Sequence, residues 1–155
     1  MLGKEIRMGR LFDPTRKRAV VIAYAHGALM GPVPGIVTLQ DQQRKIVEFT
    51  KGGASSVLMM APYAKLCAHL FAGSGKPSLG LCLEWSNMWR PETLLGYSEQ
   101  SGCTANVLSV EEALQLGADY VHTYLFVGAG DPAKEAREIQ RNAEIVRECN
   151  RYGLP

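Results

Sequence analysis

Apolar positions along the chain fall into two patterns: short continuous runs, and longer stretches in which they recur among polar residues. Short continuous runs are typical of buried strands, whereas amphipathic stretches of about ten or more residues are typical of helices. The runs predict strands at 19–25, 55–60, 77–85 and 119–128, with a further short strand at 104–108. The longer stretches predict helices at 39–51, 61–73, 109–118 and 132–152.

Two of the predicted helices begin with recognisable capping residues. Ser109 stands three residues before Glu112, which is the spacing of a capping box. Asp131 precedes Pro132 at the start of the last helix, where an acidic cap and a proline at the first position are favoured. Within that helix, an apolar stripe predicts the face that packs on the sheet: Ile139, Ala143, Val146 and Cys149.

The alternation of strand and helix predicts an α/β fold, in which parallel (β/α) units are joined by right-handed crossovers. At 155 residues the chain is expected to form a single domain, 1–155, with 1–18 as a segment before the first strand. Gly153 ends the last helix, and Leu154 and Pro155 follow as in a chain that enters another strand. Because a parallel sheet with an open edge needs covering, we expect a homo-oligomer or a complementary partner.

Composition narrows the expected ligands to small molecules. Hydrophobic residues make up 46% of the chain and charged residues 21%, the balance of a folded protein rather than a disordered one. The net charge of +2 comes without a basic run, so neither nucleic acid nor an acidic membrane surface is an expected partner. No apolar stretch approaches the roughly 20 residues of a membrane span, and no signal peptide is recognisable. A cytoplasmic location is therefore expected.

Neither the cysteines nor two glycine-rich segments predict a metal or a cofactor. The cysteines are too widely separated for a zinc ribbon or a redox motif and are expected to be reduced: Cys67, Cys82, Cys103 and Cys149. "GAGDPA" at 128–133 fits a loose dinucleotide fingerprint, but Asp131 would place negative charge against the pyrophosphate. "GSGKPS" at 73–78 precedes a strand and has a proline where a phosphate-binding loop needs a hydroxyl.

A series of segments carries a family resemblance over nearly the whole chain. In order they are "LGKEIRMGRLFDP", "VVIAYAHG" with "GPVPG", "GGASSVLMM", "LEWSNMW", "SVEEALQLGAD", "TYLFVGAGDP" and "VRECNRYGLP". Together they resemble the DhnA-type class I aldolases, which include archaeal-type fructose-bisphosphate aldolases and a thiolase for phosphorylated autoinducer-2 products. The resemblance implies a (β/α)8 barrel. Because such barrels need about 250 residues, it also implies that this chain is roughly the first half.

The resemblance further implies carbon–carbon bond chemistry on a phosphorylated ketose, through a Schiff base with a lysine on a later strand. Such a lysine should stand at the carboxyl end of a buried strand, where desolvation lowers its pKa. The lysines of this chain lie instead before predicted strands or in predicted helices and their ends: Lys4, Lys17, Lys45, Lys51, Lys65, Lys76 and Lys134. The isolated chain is therefore expected to be inactive.

The end of the first predicted strand also departs from the family. Its members commonly have aspartate, histidine and glycine there, with the aspartate orienting substrate and handling protons near the imine. This chain has Ala25, His26 and Gly27, and a methyl group cannot transfer a proton. His26 is a candidate catalytic and substrate-binding residue, or alternatively a histidine hydrogen-bonded to the barrel rim.

Other polar residues at predicted strand ends are candidate substrate contacts. Glu84, Trp85 and Asn87 close the third strand, and Tyr124 approaches the end of the last. Core packing is the alternative for Trp85 and Tyr124. Glu84 stands among apolar residues, and a buried acid needs either a partner or a function.

Two classes of function remain open from the sequence. The first is part of an aldolase-like lyase, in which this chain supplies half of the pocket. The second is a noncatalytic half-barrel that pairs with itself or with a complementary half. The missing strand-end lysine and Ala25 favour an inactive isolated chain in either case.

Overall fold

A computed structural model of the protein describes residues 2–87, 104–128 and 130–155. The helices, in chain order, are α1 (Leu2–Leu11), α2 (His26–Met30), α3 (Leu39–Lys51), α4 (Ala61–Leu66), α5 (Val110–Gln115) and α6 (Pro132–Tyr152). A 3-10 turn covers Ala68–Leu70. The strands are β1 (Val21–Ala23), β2 (Ser56–Met60), β3 (Ser78–Cys82), β4 (Glu84–Ser86), β5 (Thr104–Asn106) and β6 (Tyr120–His122).

Four strands form one parallel sheet in the order β1-β2-β3-β6. Every residue of β2 and β3 is buried, as the continuous apolar runs predict. The carbonyl of Pro155 accepts a hydrogen bond from the Val121 N–H at 3.1 Å, so the segment after α6 already lies beside β6. The sheet therefore follows chain order, which confirms the predicted α/β fold with parallel strands.

The third predicted strand, 77–85, is divided in the structure between two sheets. Its first part is β3, whereas β4 pairs with β5 in a separate antiparallel sheet. Leu83 lies at the division: its N–H donates to the His122 carbonyl at 3.1 Å, and its carbonyl accepts from Val107 N–H at 2.8 Å. The prediction of one continuous strand is wrong because the chain exchanges partners at this residue.

The main sheet separates a helix-covered face from an inner face. Val57 and Leu81 belong to the large core, which is formed with residues of α3, α4, α5 and α6. Alternate residues point the other way. On that inner face the Tyr120 hydroxyl lies 2.8 Å from Ser56 Oγ, and its ring lies directly over Gly80. A side chain at Gly80 would collide with that ring, so glycine is required there by close approach.

Helix bounds agree with the sequence at 39–51 and 132–152, and the Ser109–Glu112 capping box is present. Asp131 caps α6 as predicted, accepting from the N–H groups of Ala133 and Lys134. The predicted helix 61–73 is shorter, because α4 ends at Leu66 and a 3-10 turn follows.

The predicted apolar stripe of α6 is wrong at two positions. Ile139 and Val146 are each 55% exposed, whereas Ile145 and Cys149 are buried against the core. The inward face of α6 also carries Arg141, which makes buried polar contacts described below. The spacing of apolar residues predicts the wrong inward face for α6, because the inward face includes polar residues such as Arg141.

The segment 1–18, for which the sequence predicts no element, contains α1. Arg10 forms a 2.7 Å ion pair with Asp119, and Arg7 donates to the Gly153 carbonyl at 3.2 Å. Asp119 is buried and also accepts from the Leu79 N–H at 2.9 Å. These contacts attach α1 at the amino ends of β3 and β6, opposite the edge where the candidate site lies. In the described ranges, no helix combines the length and apolarity needed to cross a membrane.

Candidate functional site

A cavity of about 390 Å³ opens at the carboxyl ends of the parallel strands. It is lined by Ala23, Ala25, His26, Leu29, Met30, Leu58, Cys82 and Tyr124. These residues come from the inner face of β1, β2 and β3, from α2, and from the segment after β6. Active sites of (β/α) barrels are built at this edge of the sheet, which makes the cavity the candidate site.

The corner after β1 carries the residues that the sequence singled out. Ala25 is buried and stands immediately before α2, where it makes no side-chain cap, and His26 begins that helix with its side chain exposed. Gly27 has an ordinary negative φ, but a Cβ there would lie 2.8 Å from the Tyr63 hydroxyl. Gly27 therefore allows α2 to approach α4, and His26 projects at the cavity from a short, closely packed helix.

Glu84, a predicted substrate contact, is completely buried and has a cationic partner. It accepts from the Thr123 hydroxyl at 2.8 Å, from the Tyr124 N–H, and from Arg141 Nη1 at 2.5 Å. Sequence reasoning identified the need for a partner but missed Arg141. Arg141 lies 57 residues from Glu84 in the chain, so no local pattern pointed to it.

Arg141 joins four elements at this point. Beyond Glu84 and Glu138, it donates through Nη1 to Asn106 Oδ1 at 3.0 Å and through Nη2 to the Tyr124 carbonyl at 2.7 Å. Burial raises the pKa of Glu138, but hydrogen bonds from Arg141 and Thr104 outweigh it, and the net pKa lies below the ordinary value. The contacts of Arg141 thus hold β4, β5, α6 and the segment after β6 together.

Cys82 and His122 form a second polar pair, which sequence reasoning missed. The Cys82 Sγ lies 3.6 Å from His122 Nδ1, because the two residues are register partners in β3 and β6. Burial raises the pKa of the Cys82 thiol to about 11. Burial also lowers the pKa of His122, against the opposing effect of the nearby Glu84. Near neutral pH both groups are therefore uncharged.

Of the predicted site residues, the structure brings His26 and Tyr124 to the cavity. The described lining does not include Glu84, Trp85 or Asn87, which lie in β4 or directly after it. The Tyr124 ring contacts the His122 ring edge-on, with centroids 4.7 Å apart. Any role of these residues in substrate binding stays a prediction.

All lysines of the chain lie within the described residues, away from the carboxyl ends of the parallel strands. Lys4 lies in α1, Lys45 and Lys51 in α3, Lys65 in α4 and Lys134 in α6. Lys17 lies in the turn before β1, and Lys76 lies just before β3. The cavity lining therefore includes no lysine of this chain.

Comparison with known proteins shows which proteins the chain is similar to. No protein-family model matches the chain. An uncharacterized aldolase of Saccharolobus solfataricus is 36% identical over 155 residues, which are 100% of this chain and 54% of that protein. A 3-hydroxy-5-phosphonooxypentane-2,4-dione thiolase of Klebsiella pneumoniae is 26% identical over 153 residues, 99% of this chain and 46% of that protein. These relatives match the DhnA-type class I aldolases that the sequence segments resemble.

Solved structures of two aldolases show the same fold. A Schiff-base-forming fructose-1,6-bisphosphate aldolase matches with a TM-score of 0.71 at 22% identity, over 99% of this chain and 55% of that one. An archaeal fructose 1,6-bisphosphate aldolase matches with a TM-score of 0.70 at 23% identity, over 99% of this chain and 54% of that one. The chain spans about half the length of these relatives, and its sheet corresponds to half of their (β/α)8 barrel.

Proposed function

We propose that this chain supplies one half of the active-site pocket of a class I aldolase-like lyase, which makes or breaks a carbon–carbon bond in a phosphorylated ketose. The observation that carries the proposal is the cavity at the strand carboxyl ends, with His26 at its edge, in a chain that is 36% identical to an aldolase. Two of the matched structures are of fructose-bisphosphate aldolases, which supports a sugar phosphate as substrate.

Imine formation requires a lysine that this chain does not place at the cavity. The amine would have to come from a complementary half of the barrel, together with the groups that bind the substrate phosphate. Ala25 cannot supply the proton transfer of the family's usual aspartate. The isolated chain is accordingly proposed to bind a sugar phosphate weakly and to catalyse nothing.

His26 is proposed to hydrogen-bond a substrate hydroxyl or phosphate oxygen, with Tyr124 forming the opposite wall. An exposed imidazole at a cavity edge can donate or accept, according to its protonation. Glu84 is proposed to act through position rather than contact, because its carboxylate already receives three donors. Trp85 and Asn87 are proposed to contact the substrate once a complementary half completes the pocket.

Borohydride trapping tests the absence of covalent chemistry. The full chain is incubated with fructose 1,6-bisphosphate or dihydroxyacetone phosphate, reduced with borohydride, and its intact mass is measured. We expect an unchanged mass. A stable adduct would show that one of the lysines reaches the substrate and would overturn this part of the proposal.

Binding is tested by following the histidine ring signals in NMR spectra during a dihydroxyacetone phosphate titration. The His26 signals should shift with saturation, while those of His69, an exposed histidine of the 3-10 turn, should not. A His26→Gln variant should weaken the binding several-fold, and a matched His69→Gln variant should leave it unchanged. Equal response of both histidines would contradict a specific site.

The alternative, a noncatalytic module that assembles with another half-barrel, is favoured by one observation. Val20 and Val21 are 54% and 43% exposed at the open edge of β1. An edge of this kind is covered in a closed barrel. We propose that a second copy or a complementary half covers it in a cytoplasmic protein. Light scattering should then show a mass above that of the monomer, and a clean monomer would contradict self-association.

A further inference from the structure

Three side chains with metal-binding donors converge beside the cavity. They are Cys82 at the end of β3, Glu84 at the start of β4 and His122 at the end of β6. One donor atom from each lies within 4.8 Å of the other two. Cys82 and His122 are register partners in the parallel sheet, and Glu84 begins β4 in the second sheet, two residues after Cys82.

The separation of the sulfur and nitrogen donors fits one tetrahedral ion. Zn²⁺ binds thiolate sulfur at about 2.3 Å and imidazole nitrogen at about 2.0–2.1 Å, which at a tetrahedral angle puts the two ligand atoms about 3.6 Å apart. The observed distance from Cys82 Sγ to His122 Nδ1 is 3.6 Å. An ion could therefore be bound by both atoms at the separation they already have.

Glu84 supplies the third donor group, and it has to move toward the other two, because the donors of a tetrahedral ion lie about 3.3–3.6 Å apart and those of the cluster lie within 4.8 Å of one another. Among the described residues, its Oε1 receives the Tyr124 N–H alone, and Oε2 receives Thr123 and Arg141. A carboxylate oxygen has two lone pairs, so Oε1 retains one for a metal. Hydrogen bonds to a ligating carboxylate are the usual outer-shell arrangement, since they fix its orientation.

The charges of the buried groups balance when a divalent ion is present. The ion, a Cys82 thiolate and the Glu84 carboxylate sum to zero, and so do Arg141 and its second partner Glu138. A neutral cluster avoids the large cost of burying an uncompensated charge. A thiolate is the form of cysteine that binds a metal, so Cys82 has to release its proton to solvent when the ion binds.

We propose that Cys82, Glu84 and His122 form a site for a divalent transition cation of the zinc class, which goes beyond the proposed aldolase-like function. Thiolate and imidazole donors select Zn²⁺ or Co²⁺ over Mg²⁺ and Ca²⁺. Three protein ligands leave a fourth position, as in zinc sites that bind a water or a substrate oxygen. Cys82 also lines the cavity, so the proposed site borders it.

Cobalt titration of the full chain tests the site through its spectrum. One equivalent of Co²⁺ should produce a thiolate-to-metal charge-transfer band and the intense visible bands of tetrahedral coordination. Zn²⁺ should then abolish these bands, and a tenfold excess of Mg²⁺ should not. About one proton should be released for each ion bound.

Matched variants assign the ligands. Cys82→Ser should abolish the charge-transfer band, and His122→Gln should weaken binding by roughly 100-fold or more, beyond the 10–100-fold effect of outer-shell partners. Cys149→Ser and His69→Gln change the same residue types outside the cluster and should leave the titration unchanged. Circular dichroism identifies any variant that fails to fold.

A measurement on the unaltered chain keeps the proposal testable if the ligand variants do not fold. Zn²⁺ should slow alkylation of Cys82 by N-ethylmaleimide several-fold more than alkylation of Cys149, which is also buried, as read by peptide mass mapping. Absence of a charge-transfer band, its persistence in Cys82→Ser, or equal protection of the two cysteines would each overturn the site.

Discussion

Removal of the Arg141 side chain tests the polar cluster around Glu84 most directly. The Glu84 side chain is 0% exposed and that of Arg141 15%, so the pair lies almost entirely out of water. Removing one partner of a buried ion pair costs about 3–5 kcal/mol, since the other charge is left without compensation. Glu84 would keep the Thr123 hydroxyl and the Tyr124 N–H, which places the expected loss for Arg141→Met at the lower end, about 3 kcal/mol.

Urea unfolding followed by far-ultraviolet circular dichroism measures this loss. Arg137→Met is the matched control, because Arg137 lies one turn earlier on α6 with its side chain exposed. The control should change the free energy of unfolding by less than about 0.5 kcal/mol. Adding Glu84→Leu to Arg141→Met should restore much of the loss, since a buried pair can be replaced by apolar residues at little cost. Equal effects of Arg141→Met and Arg137→Met would refute the reasoning.

Three further predictions concern other parts of the fold. Gly80→Ala places a Cβ 2.3 Å from the Tyr120 ring and should lower the free energy of unfolding in urea by about 1–3 kcal/mol. Adding Tyr120→Val should recover part of this loss, and no recovery would exclude the clash as its cause. Tyr24→Phe removes a buried hydroxyl for which the described structure shows no hydrogen-bond partner, and should raise stability by about 1 kcal/mol, whereas Tyr120→Phe loses the bond to Ser56 and should lower it. The pKa of Glu138 is lower in the folded chain than its ordinary 4.5, so its ionised carboxylate contributes to the free energy of unfolding above that pH, and this contribution is lost as the pH falls. Glu138→Gln should therefore reduce the loss of stability in acid, and an unchanged pH profile of stability would contradict this prediction.

Local patterns predicted the parts of the fold that depend on local physics. The bounds 39–51 and 132–152 agree with α3 and α6, and the capping box at Ser109 is present, because caps and amphipathic spacing act within a few residues. Parallel pairing followed from the alternation of elements, which leaves few other topologies. The ends of the strands could not be predicted from local patterns, since they depend on contacts between distant parts of the chain.

The predicted strand 119–128 shows this limit. Only Tyr120–His122 pairs in the sheet, although the apolar run continues to Val127. The Tyr124 N–H donates to the Glu84 carboxylate and its carbonyl accepts from Arg141 and Asn142, so its backbone groups are not available to a strand partner. A hydrophobicity pattern contains no information about such side-chain acceptors and donors.

The same contacts explain why the candidate site could be predicted only in part. His26 was identifiable because a histidine that follows a predicted parallel strand lies at the carboxyl edge of the sheet, where barrel active sites are built. Glu84 was identifiable as a buried acid, but its partner lies 57 residues away in the chain. Because Arg141 and Thr123 hold that carboxylate against β6, it lies beside Cys82 and His122 rather than free in the cavity. The contacts of Arg141 and Thr123 with Glu84 therefore stabilise the fold and also orient the third donor of the proposed metal site.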